Sequence, residues 1–180
     1  LKNAKKPEIL KDKINYFVMG KNQWRHAASL AGMANGQLQF YLSTSKKNGK
    51  YRLQDKLPSA EQYLTQTVDF KDRQTSNNDY YPSPIIRKKI DTSNGLIFFS
   101  EPLKEDMIIN GAFTGEIVAS INRRDMDFGI TLYELNSKGE YFHLSYVIDR
   151  ASFSKDRSQR HLLEPHKITR LSLPSTRMVS

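Results

Sequence analysis

Phe128-Gly129-Ile130-Thr131-Leu132-Tyr133, then Asn136-Ser137-Lys138-Gly139, then Tyr141 to Ile148 is the stretch that decides the fold. Two runs rich in aromatic and β-branched residues flank a short polar link containing glycine, which predicts a β-hairpin. Upstream, Ala112 to Ile121 alternates. Phe113, Ile117, Ala119 and Ile121 take one face, and Thr114, Glu116 and Ser120 the other, as a half-buried strand requires. Downstream, Ile168 to Leu173 reads as a last strand.

Further from the hairpin the same grammar repeats. Leu96-Ile97-Phe98-Phe99 is a short apolar strand after a turn at Ser93-Asn94-Gly95. Gln37 to Ser43 places Leu38, Phe40 and Leu42 on one face, and Ile14 to Met19 is apolar on both faces and stops at Gly20. Helical signals are confined to Pro7–Lys11 and Gln23–Ala31, each one or two turns, with Gly32 and Gly36 to end the second. Many short strands between turn residues predict an all-β sandwich with one or two short helices. Lys56 to Lys89 breaks the pattern with Pro58, Pro82, Pro84 and the polar run Arg73–Asp79. A loop of that length is either functional or a surface excursion, here pinned by Tyr80 and Tyr81.

The chain of 180 residues is long enough for one domain with a real core. No apolar run is long enough to span a bilayer as a helix, so no membrane partner is expected. With no cysteine, disulfides, thiolate metal sites and a cysteine nucleophile are excluded. The compartment is not fixed by this, with periplasmic or secreted slightly favoured over cytoplasmic. The net charge of +9 comes from two local excesses. One is Lys2, Lys5, Lys6, Lys11 and Lys13; the other is Arg150, Lys155, Arg157, Arg160, Lys167, Arg170 and Arg177. Neither forms a basic helix interleaved with aromatics, so a nucleic-acid partner is not expected.

A search for chemistry leaves little. There is no Gly-x-Ser-x-Gly elbow, no glycine-rich phosphate loop and no His-Glu-x-x-His helix. His26 and His143 stand alone in sequence and read as structural or surface groups. His161-Leu162-Leu163-Glu164-Pro165-His166 gathers two imidazoles and a carboxylate, but in no usual zinc spacing. Asp125-Met126-Asp127 precedes a strand and resembles a Ca²⁺-binding loop. The competing reading is that backbone N–H groups or Arg123 and Arg124 satisfy both carboxylates. Residues two apart on a strand would crowd rather than flank a sugar, which argues against glycosidase chemistry. No catalytic residue, cofactor or metal is assigned.

Four blocks resemble one family in order and spacing. Tyr16-Phe17-Val18-Met19-Gly20-Lys21-Asn22-Gln23-Trp24-Arg25 is similar to the opening of the C-terminal domain of X-Pro dipeptidyl-peptidases, cocaine esterases and glutaryl-7-aminocephalosporanic acid acylases. Phe99-Ser100-Glu101-Pro102-Leu103-Lys104-Glu105-Asp106, with Gly111, resembles its Ser-Glu-Pro-Leu block. Asp125-Met126-Asp127-Phe128 resembles its Asp-x-Asp-Phe element, and Leu163-Glu164-Pro165 its late turn. Trp24, Glu101, Asp106, Asp125 and Asp127 are thereby expected to be structural, Trp24 through packing.

The resemblance implies a galactose-binding-like jelly-roll packed on an upstream α/β-hydrolase domain that carries a Ser-His-Asp triad. Residues 1–13 would then be linker, and residues 14–180 the jelly-roll, lacking its last strands. An edge left open in that way would pair with a neighbour, so a homo-oligomer is among the expected partners. Where the family has a glycine-rich turn leaning toward the active-site mouth, this chain has Asn78-Asp79-Tyr80-Tyr81-Pro82-Ser83-Pro84. Tyr80 and Tyr81 are the expected pocket-lining residues, rigid and with polar tips. A carbohydrate-binding module and a basic module for an anionic surface are the alternatives.

Overall fold

The computed structural model describes residues 5–71, 84–91 and 95–173. Its elements run β1 (Ile14–Val18), β2 (Gln23–Ala27), a 3₁₀ turn (Leu30–Met33), β3 (Tyr41–Lys47), β4 (Lys50–Gln54), β5 (Ile86–Arg87) and β6 (Phe98–Phe99). Then come β7 (Gly115–Ala119), β8 (Asp127–Leu135), β9 (Tyr141–Arg150), a second 3₁₀ turn (Ala151–Phe153) and β10 (Thr169–Leu173). The described residues are all-β, of the sandwich class, with two 3₁₀ turns as the only helical elements among them. They fall into two compact units, one formed by Leu1–Ala34 and Ile108–Ser180, the other by Asn35–Met107.

In the first unit the expected hairpin is β8–β9, antiparallel over its whole length. Asn136 closes it: its side chain accepts from the N–H groups of Lys138 and Glu140 at 2.9 Å, while Gly139 takes a φ of 77°. Phe128, Ile130 and Leu132 face inward opposite Asp149, Val147 and Ser145, and Asp127, Gly129 and Thr131 face out. The alternation expected for 112–121 holds, although the ladder itself covers only β7, which pairs antiparallel with β10. Its inward residues Ile117 and Ala119, with Ile121, Met126 and Phe128, pack on the buried cluster of Ala151, Leu163 and Leu171.

β1 and β2 form a second hairpin, with Val18 and Ala27 buried on its inner face. Here the expected helical turn over Gln23–Ala31 is corrected. Gly20 and Asn22 both take positive φ, 80° and 52°, and fold the chain straight back into a strand. Only Leu30–Met33 turns helically, capped by Ser29 Oγ accepting from Gly32 N–H at 3.3 Å. Pro7–Lys11 supplies one turn, closed by Leu10 N–H donating to Pro7 O at 2.9 Å.

In the second unit the strand expected over Gln37–Ser43 runs instead from Tyr41 to Lys47. Leu38 and Leu42 are left about half exposed. Its register is set from the other end, where Asn48 (φ 52°) and Gly49 (φ 78°) make a two-residue turn into β4. β4 then runs parallel to β6, with Tyr51 beside Phe98 and Arg52 beside Phe99. The strand expected over 96–99 is reduced to Phe98–Phe99; Ser93 and Asn94 of the turn before it lie outside the described residues.

Candidate functional site

The Asp125-Met126-Asp127 element sits where β8 begins, against the end of β9. Met126 N–H is bonded to the Asp125 side chain, and Met126 O accepts from Ala151 N–H at 2.8 Å. This brings the turn after β9 onto the two aspartates. Asp125 accepts from the backbone N–H of Ser152 at 3.0 Å and from its hydroxyl at 2.8 Å; Ser152 is fully buried. Arg160 adds a charged bond at 2.9 Å. Partial burial pushes the Asp125 carboxyl up, but the Ser152 and Arg160 bonds outweigh it and hold it below the ordinary value.

Asp127 faces outward and is gripped bidentately by Arg150, at 2.6 and 3.0 Å. That hydrogen bonding is the main cause of its lowered pKa, with burial and the nearby Asp125 charge opposing. The carboxylates are therefore satisfied, as the structural reading expected: Asp125 by backbone N–H groups together with the Ser152 hydroxyl and Arg160, and Asp127 by Arg150, with Arg123 and Arg124 taking no part in these bonds. Among the described residues no group of three or more His, Asp or Glu is arranged to hold an ion.

The Leu163-Glu164-Pro165 turn belongs to the same knot. His161 N–H donates to Ser152 O, Leu163 N–H to Arg124 O and His166 N–H to Ile121 O, all at 2.7–2.8 Å. Both histidines thus hold the chain through their backbone, His166 at a φ of 65°. A surface hollow of about 550 Å³ opens beside this turn, among Ser154, His161, Leu162, Ile168 and Arg170.

In the second unit Glu101 follows β6 and accepts from Lys47 at 2.9 Å and from Arg52, whose side chain is only 15% exposed. The Lys47 bond is the first cause of its lowered pKa, which the Arg52 charge reinforces. Lys50 lies over the Phe99 ring at 4.3 Å, and both line a hollow of about 300 Å³ with Lys47, Arg52 and Glu101. Asp106 is exposed in the segment after β6.

Trp24 packs at the surface of its hairpin. It stands directly opposite Phe17 across β1–β2, the rings edge to face at 5.8 Å, and both are about half exposed. Tyr80 and Tyr81 lie outside the described residues.

Sequence reasoning missed Lys47, Arg52, Arg150, Ser152 and Arg160, the groups that complete these carboxylate sites. The Asn48-Gly49 pair was a readable signal for the first two, since it places β4 beside β3. Residues 10–175 match the X-Pro dipeptidyl-peptidase C-terminal non-catalytic domain. The chain belongs to that family. The resemblance carried by the four blocks is thereby established, and the match encloses all of them. No curated protein matches the chain. In this X-Pro dipeptidyl-peptidase C-terminal domain, the Glu101, Asp125 and Asp127 motif positions tie strands and loops together.

Proposed function

We propose that this domain is the accessory jelly-roll of a serine hydrolase, packing on an α/β-hydrolase domain and bordering the pocket in which ester, amide or X-Pro bonds are cleaved. Residues 1–13 would be the link to that domain, and residues 14–180 the jelly-roll. The observation that carries this reading is the match over residues 10–175 to a family defined as C-terminal and non-catalytic. In such an enzyme a serine attacks the substrate carbonyl and water later releases the acyl group, with the triad outside this domain.

Two further observations support it. The acidic motif residues Glu101, Asp125 and Asp127 are each held by arginine or lysine, an arrangement that fixes loops. Five of the seven residues of the C-terminal basic excess are held in the same way. Arg150, Arg157, Arg160, Lys167 and Arg170 pair with Asp127, Asp149, Asp125, Glu164 and Glu116 respectively. Charges so paired offer little to an anionic partner, which weakens the basic-module alternative.

Tyr80 and Tyr81 are assigned to the pocket border. In the parent enzyme, replacing both with alanine is expected to raise KM several-fold with kcat nearly unchanged, as loss of uniform substrate binding does. Unchanged KM for X-Pro and ester substrates alike would remove them from the pocket.

A further inference from the structure

The β1–β2 hairpin has two faces of different character. The inner face carries Tyr16, Val18 and Ala27; Val18 and Ala27 are 2% and 5% exposed, and Tyr16 reaches the Met33 carbonyl. The outer face carries Phe17 and Trp24 as a cross-strand pair, 40% and 46% exposed, with Met19 beyond them at 60%. At the other end of this strip His26 Nδ1 lies 2.7 Å from Asn15 Oδ1, so a satisfied polar pair borders the apolar one. An exposed aromatic centre with a polar border is the composition of a protein–protein contact.

We infer that this outer face, built on Phe17, Met19 and Trp24, is the surface through which the domain docks on the catalytic domain of its parent. The inference rests on the proposed function above and adds to it the surface used. The position of the hairpin selects the occupant. The family is a C-terminal domain, so the catalytic part precedes it, and β1 begins four residues into the region that matches. With residues 1–13 as the link of the proposed function, the catalytic domain is held at a high effective concentration next to this hairpin. The ring geometry argues against a sugar as occupant. Phe17 and Trp24 meet edge to face with their planes 64° apart, forming a ridge rather than the flat platform on which a pyranose stacks.

Hydroxyl-radical footprinting of the intact parent enzyme tests this, read as oxidation of Met19 and Trp24 in the native protein relative to the same peptides in denaturant. Covered by the catalytic domain, both should oxidise roughly tenfold or more slowly than when unfolded, whereas side chains left as open as they are in this domain should slow by no more than about twofold. Tyr63, 89% exposed in the other unit, gives the reference rate. Protection of Met19 that is lost in the F17S/W24S double variant supports the assignment. Rapid oxidation of both, with other faces of the domain protected, would overturn it while leaving docking intact. Rapid oxidation over the whole domain would overturn the docking as well.

Discussion

Asp127 lies directly across the β8–β9 hairpin from Arg150 because β9 carries one extra residue, Leu144, between His143 and Ser145. Near the tip, Tyr133 faces His143; past the bulge, Leu132 faces Ser145. Had the register of the tip simply continued, Asp127 would face Asp149, placing like charges opposite each other. The bulge instead turns the end of the hairpin into a bidentate ion pair and leaves Asp149 on the inner face. There Asp149 is 9% exposed and lies 3.7 Å from the Arg157 guanidinium.

Because both partners are exposed, the pair is expected to contribute modestly. Asp127→Ala and Arg150→Ala should each lower the melting temperature by only a few degrees, and the double variant by little more than either. The coupling should fade in high salt. Thermal unfolding of the four proteins at two ionic strengths reads this out, and fully additive single effects would show that the two side chains act independently.

Asp125 is expected to matter more. Its removal orphans the N–H and hydroxyl of Ser152, a residue with no exposed surface, next to the Ala151–Leu163–Leu171 core. Asp125→Ala should cost about 2–4 kcal/mol in urea unfolding, more than Ser152→Ala, which removes one of the buried donors together with its need. Equal costs for the two variants would mean that the carboxylate is not the anchor of this turn.

Acid should act through the same groups. Asp125, Asp127, Glu101 and Asp156 all titrate lower in the folded chain than when free, each because it accepts hydrogen bonds that favour its charged form. A group depressed by folding stabilises fully above its unfolded value and loses that contribution as the pH falls through its folded value. The urea midpoint should therefore be flat down to roughly pH 5 and drop below about pH 4. Asp125→Asn should make the drop shallower; an unchanged slope would place the acid sensitivity elsewhere.

How much of this could be read beforehand depends on the range of each signal. The β8–β9 hairpin, the alternation around Ile117 and Ala119, and the late strand at 169–173 follow from local periodicity, and they stand. The β1–β2 hairpin was lost although its four-residue link Met19-Gly20-Lys21-Asn22 carries Gly20 and Asn22, residue types that favour the positive φ they adopt. The Asn48-Gly49 turn was present as a strong local signal and passed over. The partners of the aspartates were harder. Arg123 and Arg124 are nearest in sequence, but the bulge at Leu144 and the path of the chain after β9 bring Arg150 and Arg160 instead. A bulge in a run of alternating aromatic residues leaves no mark in composition. Nor does the sequence distinguish a tryptophan packed inside from one that stands half exposed against a cross-strand phenylalanine.

The central claim, that this chain is the non-catalytic part of a serine hydrolase, is tested most directly by locating the reactive serine in the parent protein. The parent is labelled with a fluorophosphonate, digested, and its modified peptide identified while hydrolysis of a p-nitrophenyl ester is followed. The account predicts that activity is lost as a single serine upstream of residue 10 is modified, and that no peptide from residues 10–175 carries the label. A label on a serine within 10–175 that tracks the loss of activity would contradict it.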